Sequence, residues 1–244
     1  RRVGSITAAL TAARLEELHR QAAMARAFGV EVEEIAPDEV KNRYDHLNIK
    51  GVTGGVYLPL DGQGDPANIA LALAKGARQC GAHVYERVAV TKILRDGRRV
   101  TGVDWTGEDG TRGQITCDHV VNCAGMWGHA VGRMAGVNVP LQACEHFYIV
   151  TEPIAGLTRL PVLRVPDECA YYKEDAGKIM LGAFEPTAKP WAVDGIPGDF
   201  EFDQLPEDFD HFEPILEAAV NRMPMLADAG IHTFFNGPES FTPD

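Results

Sequence analysis

Between Asp65 and Gly128 the sequence sets one capped helix, three short β runs divided by Asp-Gly turns, and an apolar run that breaks at Ala124-Gly125. This order constrains the fold more than any single motif. Asp65 can cap the helix, Pro66 suits its first turn, and Gly81 can end it. Ile69, Leu71, Leu73 and Ala77 are then expected to pack inward. The runs from Val84 to Leu94, Val100 to Trp105 and Gly113 to Cys117 are separated by Asp96-Gly97 and Glu108-Asp109-Gly110, which predicts an antiparallel meander. His119 to Cys123 reads as a short, fully buried strand.

The remainder alternates helix and strand. Leu10, Ala13, Leu18, Met24 and Phe28 recur at near-helical spacing, which predicts a half-buried helix from about Thr7 to Phe28. A second helix is expected from Pro37, with Asp38 and Glu39 at its positive end. Gly54 to Leu58 reads as a strand. From Leu141 the pattern becomes longer strands: Glu145 to Thr151, Val162 to Val165, and a hairpin of Cys169 to Lys173 with Lys178 to Phe184. A helix from about Phe209 to Met223 carries Phe212, Leu216, Ala219 and Met223 on one face. No internal repeat or low-complexity segment interrupts the chain.

With 244 residues, 45% of them hydrophobic, the chain can bury a sizeable core in one or two domains. Its formal charge of −12 works against a nucleic-acid partner, which requires clustered Lys and Arg. No apolar stretch approaches the roughly 20 residues that span a bilayer, so no membrane span is expected. The opening stretch resembles a targeting peptide only until Arg14, Glu16 and Glu17 interrupt it. Five cysteines, without CxxC spacing or an adjoining His cluster, argue against a zinc site or a disulfide framework and for a reducing compartment. The chain begins with Arg and stops within a turn-rich segment, so an internal stretch of a longer protein is expected.

The strongest motif is Val120-Val121-Asn122-Cys123-Ala124-Gly125-Met126-Trp127-Gly128. A strand ending in Ala-Gly lets backbone approach a ligand closely, because glycine has no side chain to block it. An ordinary tight turn explains the spacing equally well. Four further segments join it: Tyr57 to Pro66, Pro140 to Tyr148, Ala170 to Lys173, and Asn236 to Asp244. Taken together the set resembles the D-amino acid oxidase superfamily, and within it the dimethylglycine and sarcosine dehydrogenase group.

That resemblance implies an α/β, FAD-linked, two-domain fold of the glutathione-reductase type, here incomplete, with a mixed, largely antiparallel sheet in the substrate domain. It divides the chain into a helical segment with a first substrate-domain strand (1–60), a partial FAD-binding domain (61–132), a substrate-binding domain (133–235), and the start of the return to the FAD domain (236–244). The implied reaction is oxidation of an N-methylated amino acid by hydride transfer from the N-methyl carbon to FAD, as part of one-carbon metabolism. The implied partners are a small N-methyl amino acid, an electron acceptor (electron-transfer flavoprotein or oxygen), and tetrahydrofolate through a C-terminal module not in this sequence. The compartment would be the bacterial cytoplasm or, in a eukaryote, the mitochondrial matrix. The family's G-x-G-x-x-G loop, which sets the FAD pyrophosphate at a helix N-terminus, is absent from these residues. These residues alone are therefore expected to bind FAD poorly and to be inactive.

Carried over residue by residue, the resemblance makes His146 an active-site base or orienting group at the substrate amine. Imidazole suits that task because its ordinary pKa lies near working pH. A strand histidine satisfied by a backbone bond is the bland alternative. Tyr171 and Tyr172 are neighbours on a strand and must face opposite ways. The family pattern puts Tyr171 in the site, its hydroxyl holding the substrate carboxylate or amine, and leaves Tyr172 to packing. For FAD the pattern points to Val88 near adenine and to Ala124, Gly125, Met126 and Trp127 near the flavin. Arg164 can pair with a carboxylate, but a surface role is the commoner outcome. Two rivals remain open: another amine oxidase of the superfamily, and a noncatalytic binding or assembly domain derived from the fold.

Overall fold

The structure is a computed structural model, and it describes residues 1–242. Pro243 and Asp244, which end the expected 236–244 segment, lie outside the described residues. In chain order the elements are β1 (Ser5–Ala9), α1 (Ala12–Ala27), β2 (Glu33–Ile35), α2 (Pro37–Arg43), β3 (Gly54–Leu58), α3 (Pro66–Gln79), β4 (Val88–Asp96), β5 (Arg99–Gly107), β6 (Arg112–Thr116), α4 (Gly128–Met134), β7 (Gln142–Thr151), β8 (Val162–Val165), β9 (Ala170–Asp175), β10 (Lys178–Ala183), β11 (Lys189–Pro190), α5 (Phe209–Arg222) and β12 (Ile231–Phe241). They fall into two units. The first takes Arg1–Gly64, Glu145–Ala188 and Asp203–Gly237, and the second takes Asp65–Cys144, Lys189–Phe202 and the chain from Pro238.

The first unit is built on a mixed sheet in the order β7-β10-β9-β8-β1-β3-β2, with β12 also paired to β7. The β1–β8 pair is parallel, while β1–β3, β2–β3, β7–β10, β9–β10 and β8–β9 are antiparallel. Cross-strand partners share a face, so register carries one row across five strands: Ile149, Leu181, Tyr172, Leu163 and Ile6. All five are buried, and Phe212, Ile215, Ala219 and Met223 from α5 and its end join them in one core. A smaller cluster on the other face forms where α1, through Leu18 and Ala22, meets Ala9 and Val56.

Two expectations for this unit are corrected. The helix expected from Thr7 starts at Ala12, because Ser5 to Ala9 pair with both β3 and β8 as a central strand. Thr11 supplies the cap, its hydroxyl accepting from the Arg14 amide at 3.1 Å. Of the apolar stripe, Leu18 is buried, whereas Met24 and Phe28 are exposed at the last turn. By contrast α2, β3 and β8 lie where local pattern placed them, and α5 buries Phe212, Ala219 and the Met223 that follows it, with Leu216 packed against the core.

The second unit holds the meander, β4-β5-β6, antiparallel throughout. Helix α3 forms where its cap requires, the Asp65 carboxylate accepting from the Asn68 amide at 3.0 Å. Its expected inward packing is not found: Ile69, Leu71 and Leu73 are 52%, 64% and 70% exposed. Capping and helix propensity act locally and favour the helix, but burial needs a facing surface, and none covers these side chains among the described residues. The strand expected over residues 119–123 is likewise unpaired, with Val121 82% exposed. Apolarity marks a buried strand only where neighbours supply the ladder.

Tyr172 sits mid-row with its ring wholly buried. Truncation to Ala should cost about 3–5 kcal/mol, as a large-to-small core change does. Chemical denaturation of Tyr172→Ala against the parent chain checks this, and a change under about 1 kcal/mol would show that the row does not hold the sheet to α5.

Candidate functional site

Strand alternation places a second row on the face opposite the core: Tyr148, Gly182, Tyr171, Arg164 and Thr7 are successive cross-strand partners on β7, β10, β9, β8 and β1. His146 shares this face with Tyr148, since it lies two residues earlier on β7. The row carries polar and charged groups where its counterpart is buried and mostly aliphatic. Tyr148 and Tyr171 are half-buried and Arg164 is exposed.

Gly182 determines how the row is filled. A Cβ there would stand 1.9 Å from Cζ of Tyr171 and 2.1 Å from its hydroxyl oxygen. The Tyr171 ring therefore lies across the backbone of β10. Glycine within a strand is the signature of such close approach. Phe184, just past β10, closes against this ring at 5.4 Å between centroids and against the His146 ring at 6.2 Å. On the far side of the row, Phe235 of β12 stacks on Tyr148 at 4.6 Å.

His146 Nδ1 lies 3.0 Å from Oε2 of Glu185, whose side chain is only 3% exposed against 21% for the histidine. The other Glu185 oxygen accepts the Phe147 amide at 2.9 Å. Burial raises the Tyr171 phenol above its ordinary pKa, the Glu185 charge and Tyr148 raise it further, and the Arg164 charge opposes them. Burial likewise raises Tyr148. One face thus collects a histidine backed by a carboxylate, two protonated phenols and a guanidinium.

Of the residues singled out in the sequence, the structure brings His146 and Tyr171 onto this one face with Phe184 between them. The remaining five lie in the second unit. Ala124, Gly125, Met126 and Trp127 form a single turn, a 3-10 helix over Gly125–Trp127. Asn122 braces it, its Oδ1 accepting the Ala124 amide at 3.2 Å and its Nδ2 donating to the Gly128 carbonyl at 2.8 Å. Met126 and Trp127 line a cleft of about 380 Å³ with Arg133, Gln142 and residues 192–196. Val88 does not join them. It lines a separate cleft of about 1020 Å³ with Arg87, Thr106 and Phe202.

Sequence reasoning passed over Glu185, Gly182, Tyr148 and Phe184, and set Arg164 aside. Only Gly182 carried a local signal, a glycine inside a β-rich run. Glu185 lies 39 positions from His146, and nothing but the tertiary fold joins them.

Comparison with known proteins now decides the family. The model of the FAD dependent oxidoreductase family matches residues 1–244. The chain belongs to that family. It is 38% identical over its whole length to 4-methylaminobutanoate oxidase (formaldehyde-forming) of Paenarthrobacter nicotinovorans, covering 29% of that protein. It is 38% identical to human mitochondrial sarcosine dehydrogenase, with 99% of this chain and 26% of the relative aligned. It is also 37% identical to the mouse mitochondrial pyruvate dehydrogenase phosphatase regulatory subunit, with 100% of this chain and 27% of the relative aligned. The chain thus spans under a third of the length of these relatives. Among solved structures, L-proline dehydrogenase from P. horikoshii superposes with a TM-score of 0.81 at 23% identity, over 100% of this chain and 62% of that one. That likeness establishes the α/β fold.

FAD is the cofactor of the FAD dependent oxidoreductase family, and the turn at Gly125 fits such a ligand. Gly125 has φ +51 and, among the described residues, nothing within 4 Å of the position its Cβ would take, so backbone there is approachable.

Gly182→Ala isolates the seating of Tyr171. The added methyl should drive the ring off β10, so that the phenol titrates closer to its ordinary value near pH 10. Ultraviolet difference titration against a Tyr171→Phe background reads this, and an unaltered Tyr171 titration would show that the close approach does not hold the ring.

Proposed function

We propose that this chain provides the substrate face of an FAD-dependent dehydrogenase or oxidase acting on an N-methylated amino acid of the dimethylglycine or sarcosine type. The observation that carries the reading is the row Tyr148, Tyr171 and Arg164 with His146 beside it, on the sheet face opposite the main core. An amine acid needs a site for its anion, a hydrogen-bonding group at its nitrogen and a base. Arg164 offers a guanidinium for the carboxylate. The Tyr171 hydroxyl, kept protonated by burial and by the Glu185 charge, can donate to the carboxylate or accept from the amine. His146 takes the ammonium proton, because an amine gives up hydride from its neighbouring carbon only once its nitrogen lone pair is free.

FAD, when bound, supplies the hydride acceptor. We assign Ala124, Gly125, Met126 and Trp127 to its flavin side and Val88 to its adenine side. The electron acceptor of the whole protein is an electron-transfer flavoprotein or oxygen, and tetrahydrofolate would engage a module beyond these residues. Human sarcosine dehydrogenase is a mitochondrial protein. The matrix is accordingly the compartment for a eukaryotic chain and the cytoplasm for a bacterial one. No helix among the described residues is long and apolar enough to cross a membrane.

A second reading, a noncatalytic regulatory or assembly domain, draws on the comparable identity to the mouse regulatory subunit. Amine-driven flavin reduction separates the two. In the FAD-loaded full-length protein, His146→Ala should slow single-turnover reduction by an N-methyl amino acid about 10²–10⁴-fold and alter its pH profile, with flavin content retained. Tyr171→Phe should cost about tenfold in rate or affinity with little loss of stability. Unchanged kinetics across pH for His146→Ala would return that histidine to a structural role. A parent protein that no N-methyl amino acid reduces would favour the regulatory reading.

A further inference from the structure

We propose that Glu185 is the positioning residue of His146: it holds the imidazole proton on Nδ1 and so presents Nε2 as the basic nitrogen. The inference deepens the reading of His146 as the group at the substrate amine and rests on it for its catalytic meaning. The geometry itself stands apart from that reading.

Glu185 is set by backbone before it is set by its partner. Gly182 and Ala183 end β10 in register with Tyr171 and Ala170, and the Phe184 amide donates to the Cys169 carbonyl at 2.7 Å, so the strand path stays fixed up to the residue before Glu185. From there its side chain turns inward to 3% exposure. Both carboxylate oxygens meet β7, Oε1 accepting the Phe147 amide at 2.9 Å and Oε2 lying 3.0 Å from His146 Nδ1. An ionised carboxylate only accepts hydrogen bonds, so Nδ1 carries the proton and the neutral ring keeps its lone pair on Nε2. Once the ring takes a proton from an amine, the adjacent buried carboxylate stabilises the imidazolium.

Among the described residues, the other charged or titratable groups on this face include Tyr148 on the same strand, Tyr171, Lys173 and Asp175 on β9, Lys178 on β10 and Arg164 on β8. Both phenols are pushed upward and stay neutral through the working range. Glu145, on the opposite face of β7, accepts from Asn236 at 2.7 Å. Glu185 is thus a buried carboxylate in contact with the His146 ring.

A purely structural role, satisfying the Phe147 amide, is separable from positioning. Glu185→Gln keeps an oxygen for that amide but turns an NH2 group toward Nδ1. The expected result is a switch of His146 to the Nε2-H tautomer, together with a fall in its titration midpoint of about one unit or more as the carboxylate charge is lost. Nitrogen NMR of the imidazole reads both in this chain without any turnover. In the FAD-loaded full-length protein, the pH limb of flavin reduction should move in the same direction as the NMR midpoint, with KM little changed. Glu185→Asp, which keeps the charge, should retain the Nδ1-H tautomer. The parent chain is itself a test that no folding defect can obscure, since an Nε2-H tautomer there at neutral pH would overturn the proposal. So would a Glu185→Gln chain, folded by its thermal midpoint, with tautomer and midpoint unaltered. Amine oxidation that fails while the NMR results hold would overturn the function proposed above and leave the positioning intact.

Discussion

Register is the constraint on which the first unit depends. Fixing Tyr172 opposite Leu181 and Leu163, under α5, leaves Tyr171 no choice of face, and the same pairing sets Gly182, Tyr148 and Arg164 beside it. A one-residue slip would exchange the buried row for the polar one along the whole sheet. The cost of burying a guanidinium and exposing five apolar side chains makes that slip prohibitive. The composition of the candidate site is therefore a by-product of the core's pairing, enforced by the hydrophobic effect on the opposite face.

What anchors that register at one end is a partly buried ion pair. Arg222, the last residue of α5, makes two hydrogen bonds to Glu168, at 3.0 and 2.6 Å, and also bonds the carbonyls of Asn48 and Lys50. Glu168 belongs to the short turn between β8 and β9, where Cys169 takes φ +54 and the chain reverses into Ala170. The pair thus ties α5 to the corner from which Tyr171 and Tyr172 depart. Its worth lies in geometry more than in net energy: desolvating both charges offsets much of their attraction, yet removing one strands the other at about 3–5 kcal/mol.

The second unit shows the converse case, elements formed by local rules with their apolar surface uncovered. Asp65, Pro66 and the Asp-Gly turns mark out α3 and the meander locally, while Ile69, Leu71, Leu73 and Val121 are exposed. The turn at Gly125 is also locally built, through Asn122, and it carries the open backbone that suits a ligand.

From the sequence alone, the caps, turns and periodicities determined α2, α3, α5, the meander and the hairpin of β9 with β10, because each signal acts within a few residues. The alternation of Tyr171 with Tyr172 was legible for the same reason, as was the family, whose motifs lie in contiguous stretches. Tertiary structure alone decided that Ser5 to Ala9 form a central strand, since that outcome depends on partners about fifty and one hundred and fifty positions away. It also decided that Arg164 faces the site and that Glu185 meets His146 across 39 positions. Those contacts come from strands pairing at long range, where the gain is shared by many residues and no single residue type announces it.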